Sequence, residues 1–134
     1  NAHGLMQLIP GTAQMQARRE GMSYQRASLT GDPQYNMTLG SAHLADLVDS
    51  FNGSYVLAIA SYNAGSGRAR EWIADWGDPR SGSVDVVDWV ELIPFSETRN
   101  YVQRVTENLQ VYRYRLAERP TPIELERDLR RGRP

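Results

Sequence analysis

Three short stretches of this sequence carry polar side chains that packing alone does not require. The first is Gly4-Leu5-Met6-Gln7-Leu8-Ile9-Pro10-Gly11-Thr12-Ala13. Its amide, Gln7, is flanked by Leu5, Met6, Leu8 and Ile9, and an amide among so many apolar neighbours must find partners or leave donors and acceptors unpaired. Gln7 is therefore either a core residue bonded to backbone or a groove-floor group facing a polar ligand. The second is Tyr62-Asn63, directly before Gly65. A tyrosine there can direct its hydroxyl into a cleft, and its ring can stack on a sugar face; a core tyrosine followed by a capping asparagine accounts for the same residues. The third is Glu97, behind Ile93-Pro94-Phe95. A carboxylate at a helix start is favoured by the helix dipole, and capping alone would place it there. Arg99 beside it reads as a structural ion-pair partner.

These residues need helices to hold them. Pro10 and Thr12 open a helix over residues 10–20, since proline in the first turn loses no hydrogen bond, and Gly21 ends it. Residues 22–33 read as loop. A longer helix follows over 34–51, with Met37, Leu44, Leu47, Val48 and Phe51 at three- and four-residue steps. Ser54 is the expected cap of the next helix. That helix, Tyr55-Val56-Leu57-Ala58-Ile59-Ala60, is apolar nearly all round and belongs at the centre of the domain. It runs into Ser61-Tyr62-Asn63-Ala64-Gly65-Ser66-Gly67, where two glycines interrupt it, and helix resumes over 68–76. A short helix over 84–91 leads to Leu92-Ile93-Pro94-Phe95. Ser96 is the expected cap of the last long helix, over 97–116, with Tyr101, Val105, Leu109, Tyr112 and Leu116 as its buried stripe. The arginine-rich tail reads as one exposed helix over 123–131. With no convincing alternating strand, the expectation is one all-α domain over 1–117 and a C-terminal tail over 118–134.

The totals exclude several classes. The 134 residues suffice for one domain, and no apolar run is long enough to span a bilayer. A net charge of −1 gives no whole-chain case for nucleic acid, although all fifteen cations are arginines. There is no cysteine, hence no disulfide or thiolate site. His3 and His43 stand in no metal-ligand spacing, so no metal and no cofactor is expected.

Order and spacing add to this. Gly4-Leu5-Met6-Gln7 followed by Pro10-x-Thr12-Ala13 comes first, and Ser61-Tyr62-Asn63-Ala64-Gly65-x-Gly67-Arg68 second. The third is Trp89-Val90-Glu91-x-Ile93-Pro94-Phe95-x-Glu97-Thr98-Arg99-x-Tyr101-Val102. Together they resemble the catalytic domain of soluble lytic transglycosylases, lysozyme-like enzymes that cut peptidoglycan. The resemblance covers the chain to about Leu116, and Tyr112-Arg113-Tyr114 with Pro120-Thr121 resembles the C-terminal end of the large periplasmic members. It implies an all-α, lysozyme-like (goose-type) helical domain that cleaves the β-1,4 bond between N-acetylmuramic acid and N-acetylglucosamine without water. It also implies glycan strands as partner, a monomer and a periplasmic location.

By the same resemblance, Met6, Gln7, Tyr62, Asn63, Glu97 and Tyr101 bind substrate. The family's general acid belongs to a Glu-Ser pair on a helix shortly before Gly-Leu-Met-Gln. This sequence begins at Asn1, inside the intervening segment, and none of Glu20, Glu71, Glu91 or Glu97 stands at that position. The expectation is a domain lacking its first helix, without a catalytic residue and inactive alone. The face beside Leu5, Met6 and the 55–60 helix should then be exposed. A hydrolytic lysozyme relative, a non-catalytic peptidoglycan-binding module and nucleic-acid binding through the tail remain as alternatives.

Overall fold

The computed structural model describes all 134 residues. Eight helices follow in order: α1 (Pro10–Arg19), α2 (Ser28–Gly31), α3 (Pro33–Ser50), α4 (Tyr55–Ala64), α5 (Ser66–Trp76), α6 (Val86–Glu91), α7 (Ser96–Ala117) and α8 (Leu125–Leu129). The only extended pairing is an isolated bridge between His3 and Leu8, so the all-α expectation holds. No helix is long and apolar enough to cross a membrane. The chain forms two compact units, Asn1–Asp46 and Leu47–Pro134.

In the N-terminal unit, two backbone bonds between His3 and Leu8, each 2.9 Å, close a tight loop over residues 4–7. The buried amide of Asn36 fills the space behind that loop. Its Oδ1 accepts from Met6 N at 2.8 Å, while its Nδ2 donates to the carbonyls of His3 at 2.9 Å and Leu29 at 3.1 Å. Gly4 is required here. Its φ is +73°, and a Cβ would lie 2.2 Å from Asn36 Nδ2. Leu8, Ala13, Ala17, Leu29 and Leu39 form the apolar core. Residues 22–33 are not all loop: α2 places Leu29 in that core, on four residues too few to show a helical period.

The C-terminal unit is built on α4, which is buried continuously from Val56 to Ser61. Each large apolar side chain so enclosed contributes roughly 1.5–3 kcal/mol. Helices α5, α7 and α8 pack on it, and α6 packs on α7. Ser54 caps α4 as expected, its Oγ accepting from Leu57 N at 3.2 Å. Gly65, at φ +93°, separates α4 from α5, whereas Gly67 lies within α5 and breaks nothing. Trp72 of α5 stacks on Trp76 and meets Trp89 edge-on.

Four expectations need correction. The cap position of α7 is Phe95, and Ser96 is its first helical residue with no capping bond. The buried face of α7 is Thr98, Val102 and Thr106; Tyr112 and Leu116 are exposed, the latter at 82%. Two hydroxyls on that face hid the stripe from an apolar-only pattern, and Thr106 Oγ1 donates to the Val102 carbonyl at 2.8 Å. The tail helix is only partly exposed, because Asp128 is fully buried. Arg113 of α7 grips both Asp128 oxygens at 2.5 and 2.9 Å, and Gln110 Nε2 donates to Oδ2 at 2.7 Å. Finally, Leu5 is open at 70% as expected, but Val56–Ala60, also expected to be exposed, are buried.

Two predictions follow from this packing. Asn36→Ala strands one N–H and two carbonyls, and should cost about 3 kcal/mol of unfolding free energy in urea titrations. The second concerns acid. Burial pushes the Asp128 carboxyl up, but Arg113 and Gln110 outweigh it and hold it below the usual carboxylate range. At Asp78, hydrogen bonds from Arg80 lower the carboxyl despite partial burial. Both folded values lie under the unfolded one, so the stabilisation is complete above about pH 4 and is lost as pH falls through the folded values. Melting temperatures should drop on acidification below about pH 4, and Asp78→Asn should flatten part of that drop.

Candidate functional site

The polar residues of α4 and α7 meet at one end of the helix pair. Tyr62 and Asn63 occupy the last turn of α4, where Gly65 turns the chain away. Opposite them, Ile93-Pro94-Phe95 delivers the chain into α7. Arg99 Nη1 donates to the Ile93 carbonyl at 2.9 Å, bracing this entry. Arg99 thus acts on the backbone rather than as the expected ion-pair partner. The junction is fixed by Thr98, whose Oγ1 donates to Asn63 Oδ1 at 2.6 Å; Thr98 itself is only 1% exposed. This bond uses the Asn63 carbonyl and leaves the amide NH2 as a donor.

Tyr62 and Tyr101 lie close enough for their ionisations to interact. Burial raises the Tyr62 hydroxyl well above the ordinary tyrosine value, and the neighbouring Tyr101 raises it further. Burial raises Tyr101 as well, with Arg104 opposing. Both phenols are therefore neutral donors at physiological pH, able to give a hydrogen bond to an oxygen. Glu97 is exposed in the first turn of α7, where the dipole favours its charge. It stands four residues before Tyr101, which puts both on one helix face. The structure thus gathers Tyr62, Asn63 and Tyr101 around Thr98, with Glu97 on the Tyr101 face.

Met6 and Gln7 belong to the N-terminal unit. Met6 is half-buried and packs on Gly40, where an added Cβ would come within 2.6 Å of its sulfur, and Ser41 Oγ lies 3.7 Å from that sulfur. Gln7 is exposed at φ +49°, and its Nε2 donates to the Gly4 carbonyl at 2.8 Å. It is not the enclosed amide that its neighbours suggested. The loop turns Leu5 and Gln7 outward and only Leu8 inward.

Sequence reasoning passed over two features. Thr98 lies within a quoted motif, but a threonine at a helix start looks like capping until its partner is known. The other is Phe95, 42% exposed, with Trp72 edge-on behind it at 5.7 Å and the Arg68 guanidinium 5.5 Å from its ring centre. The signal was present in Trp72, which backs the ring and packs in turn with Trp76 and Trp89.

Comparison with known proteins places this arrangement. Residues 1–81 match the model of the transglycosylase SLT domain, and residues 92–121 that of the soluble lytic transglycosylase helical domain. The fold is the helical, lysozyme-like one of lytic transglycosylases. The chain belongs to the transglycosylase SLT domain family. The soluble lytic murein transglycosylase of Escherichia coli K12 is 37% identical over 121 residues, 90% of this chain and 18% of that protein. An inactive mutant of the lytic transglycosylase Slt from Pseudomonas aeruginosa superposes with a TM-score of 0.76 at 40% identity, over 92% of this chain and 19% of that one. A 70 kDa soluble lytic transglycosylase in complex with bulgecin A gives 0.80 at 36% identity, over 90% and 19%. The chain spans less than a fifth of the length of the relatives it matches.

If the Thr98–Asn63 bond organises this junction, Thr98→Val keeps the shape and removes the donor. The half-buried Asn63 acceptor then loses its partner, at a cost of about 1 kcal/mol, measurable as a lower urea midpoint with unchanged slope.

Proposed function

We propose that this chain supplies glycan-binding groups of a murein lytic transglycosylase that acts in the periplasm on peptidoglycan strands. Tyr62, Asn63, Glu97 and Tyr101 contact saccharide at the α4–α7 junction; in the N-terminal unit, Met6 and Gln7 contact saccharide from their own loop. The observation that carries this reading is the clustering of Tyr62, Tyr101 and the Thr98-oriented Asn63 amide at one end of the α4–α7 pair. Phenol and amide groups can hydrogen-bond the hydroxyl, ring and acetamido oxygens of a sugar, and the tyrosine rings can stack on its face. The names of the relatives and the complex of one with bulgecin A support it.

The reaction requires one carboxyl group that stays protonated until it meets the glycosidic oxygen. It donates its proton as the C1–O bond breaks. The resulting carboxylate then removes the proton from the muramoyl C6 hydroxyl as that oxygen closes on C1. The product is a 1,6-anhydro sugar and no water is consumed. Keeping such an acid protonated takes an apolar pocket. Glu20, Glu71, Glu91 and Glu97 are all exposed, and Asp128, the fully buried carboxylate, is held by Arg113. None of these groups suits the role, which supports the reading that the 134 residues alone do not cleave glycan.

The experiment compares the chain as it stands with one extended at its N-terminus by the family's acid-bearing helix. Both are incubated with peptidoglycan and the released muropeptides are weighed by mass spectrometry. The extended form should give products one water lighter than those of a hydrolytic lysozyme, and the short form none. Tyr62→Phe and Glu97→Gln in the extended form should each lower release about tenfold, or ~1.4 kcal/mol of lost transition-state stabilisation. Reducing-end products would show hydrolysis instead. Binding without release from either form would identify a non-catalytic glycan module.

A further inference from the structure

The α4–α7 pair is held at both ends. At one end are Tyr62, Asn63, Thr98 and Tyr101. At the other, the residues from α8 onward run across from the last third of α7 to the start of α4. Asp128 is gripped by Arg113 and Gln110 of α7. The Arg131 guanidinium lies 4.6 Å from the ring centre of Tyr55. Arg133 N donates to the Asn52 carbonyl at 3.2 Å. Gly132 sits against Ser54, the cap residue of α4, so closely that an added Cβ would fall 2.8 Å from Ser54 Cα. We infer that the segment 125–133 is a strap that sets how α4 lies against α7, and so positions Tyr62 and Asn63 relative to Thr98 and Tyr101, with Asp128 as its positioning residue.

The choice of chemistry supports positioning over simple anchoring. Leu125 and Leu129 could dock a tail through apolar contact alone. A buried ion pair adds little net stability compared with apolar packing, because desolvation cancels much of the attraction. A two-toothed guanidinium–carboxylate fork does fix direction and register. The lever is also short: Tyr55 and Tyr62 lie about 10 Å apart along the helix axis. A tilt at the strapped end therefore moves the other end by a comparable amount, enough to part a 2.6 Å hydrogen bond such as that between Thr98 and Asn63.

This inference rests on the glycan-site reading only for its functional meaning, and the test separates the two. Amide NMR spectra of the full chain are compared with those of Asp128→Asn, Gly132→Ala and a control, Glu126→Gln. Glu126 is exposed and pairs only with Arg130 on the same helix. Asp128→Asn and Gly132→Ala should both shift the Asn63 side-chain amide and the Tyr101 signals, and both should weaken retention on peptidoglycan several-fold. The control should change neither. If Asp128→Asn does not fold, Gly132→Ala decides alone. Movement of the Ser54, Tyr55 and tail signals with no change at Asn63 and Tyr101 would overturn the proposal. Shifts at Asn63 in a chain that never binds peptidoglycan would uphold the strap and defeat the glycan reading.

Discussion

A helix buried on every side has only its ends left for chemistry. That constraint governs the C-terminal unit. From Val56 to Ser61, α4 offers no exposed surface, so α5, α7 and α8 must cover it, and whatever it contributes to a ligand must come from its last turn. Tyr62 and Asn63 stand there because Gly65 stops the helix before solvent or another layer closes over them. The same logic places Thr98. A hydroxyl buried at the start of α7 needs a partner, and the nearest polar end on offer is that of α4.

The N-terminal unit solves a different problem with a similar device. Its loop over residues 4–7 has too few residues to carry a core of its own, and its backbone polar groups would be stranded without a partner. Asn36 meets three of them at once from α3. Its rigidity allows Gly4 and Gln7 to hold left-handed conformations. Gln7 is thereby presented outward on a fixed loop instead of being sunk among its apolar neighbours.

In the C-terminal unit, neutral hydrogen-bonding groups stand on buried supports at the α4–α7 junction, with the charge of Glu97 beside them. Glu97 is exposed, Arg68 lies over the exposed Phe95 ring, and the fully buried acid, Asp128, is neutralised by Arg113. For the glycan contacts proposed at that junction, rigid donors matter more than strong ones, because each contact is weak and the register of several must agree.

The sequence by itself determined every helix except the four-residue α2, since the 3.6-residue period, Pro10, Gly21, Ser54 and Gly65 act locally and need no partner. It also determined the family, because three motifs in fixed order survive in the text whatever their surroundings. Its limits appear wherever the outcome hung on a distant residue. The buried face of α7 runs through Thr98 and Thr106, which read as polar until Asn63 and the helix carbonyls are seen to satisfy them. Asp128 read as a solvated charge until Arg113, far back in the chain, enclosed it. Gln7 read as enclosed because sequence neighbours are not spatial ones once the loop turns. Local propensity writes the elements; which polar groups are buried, and against whom, is decided only when helices far apart in the chain come into contact.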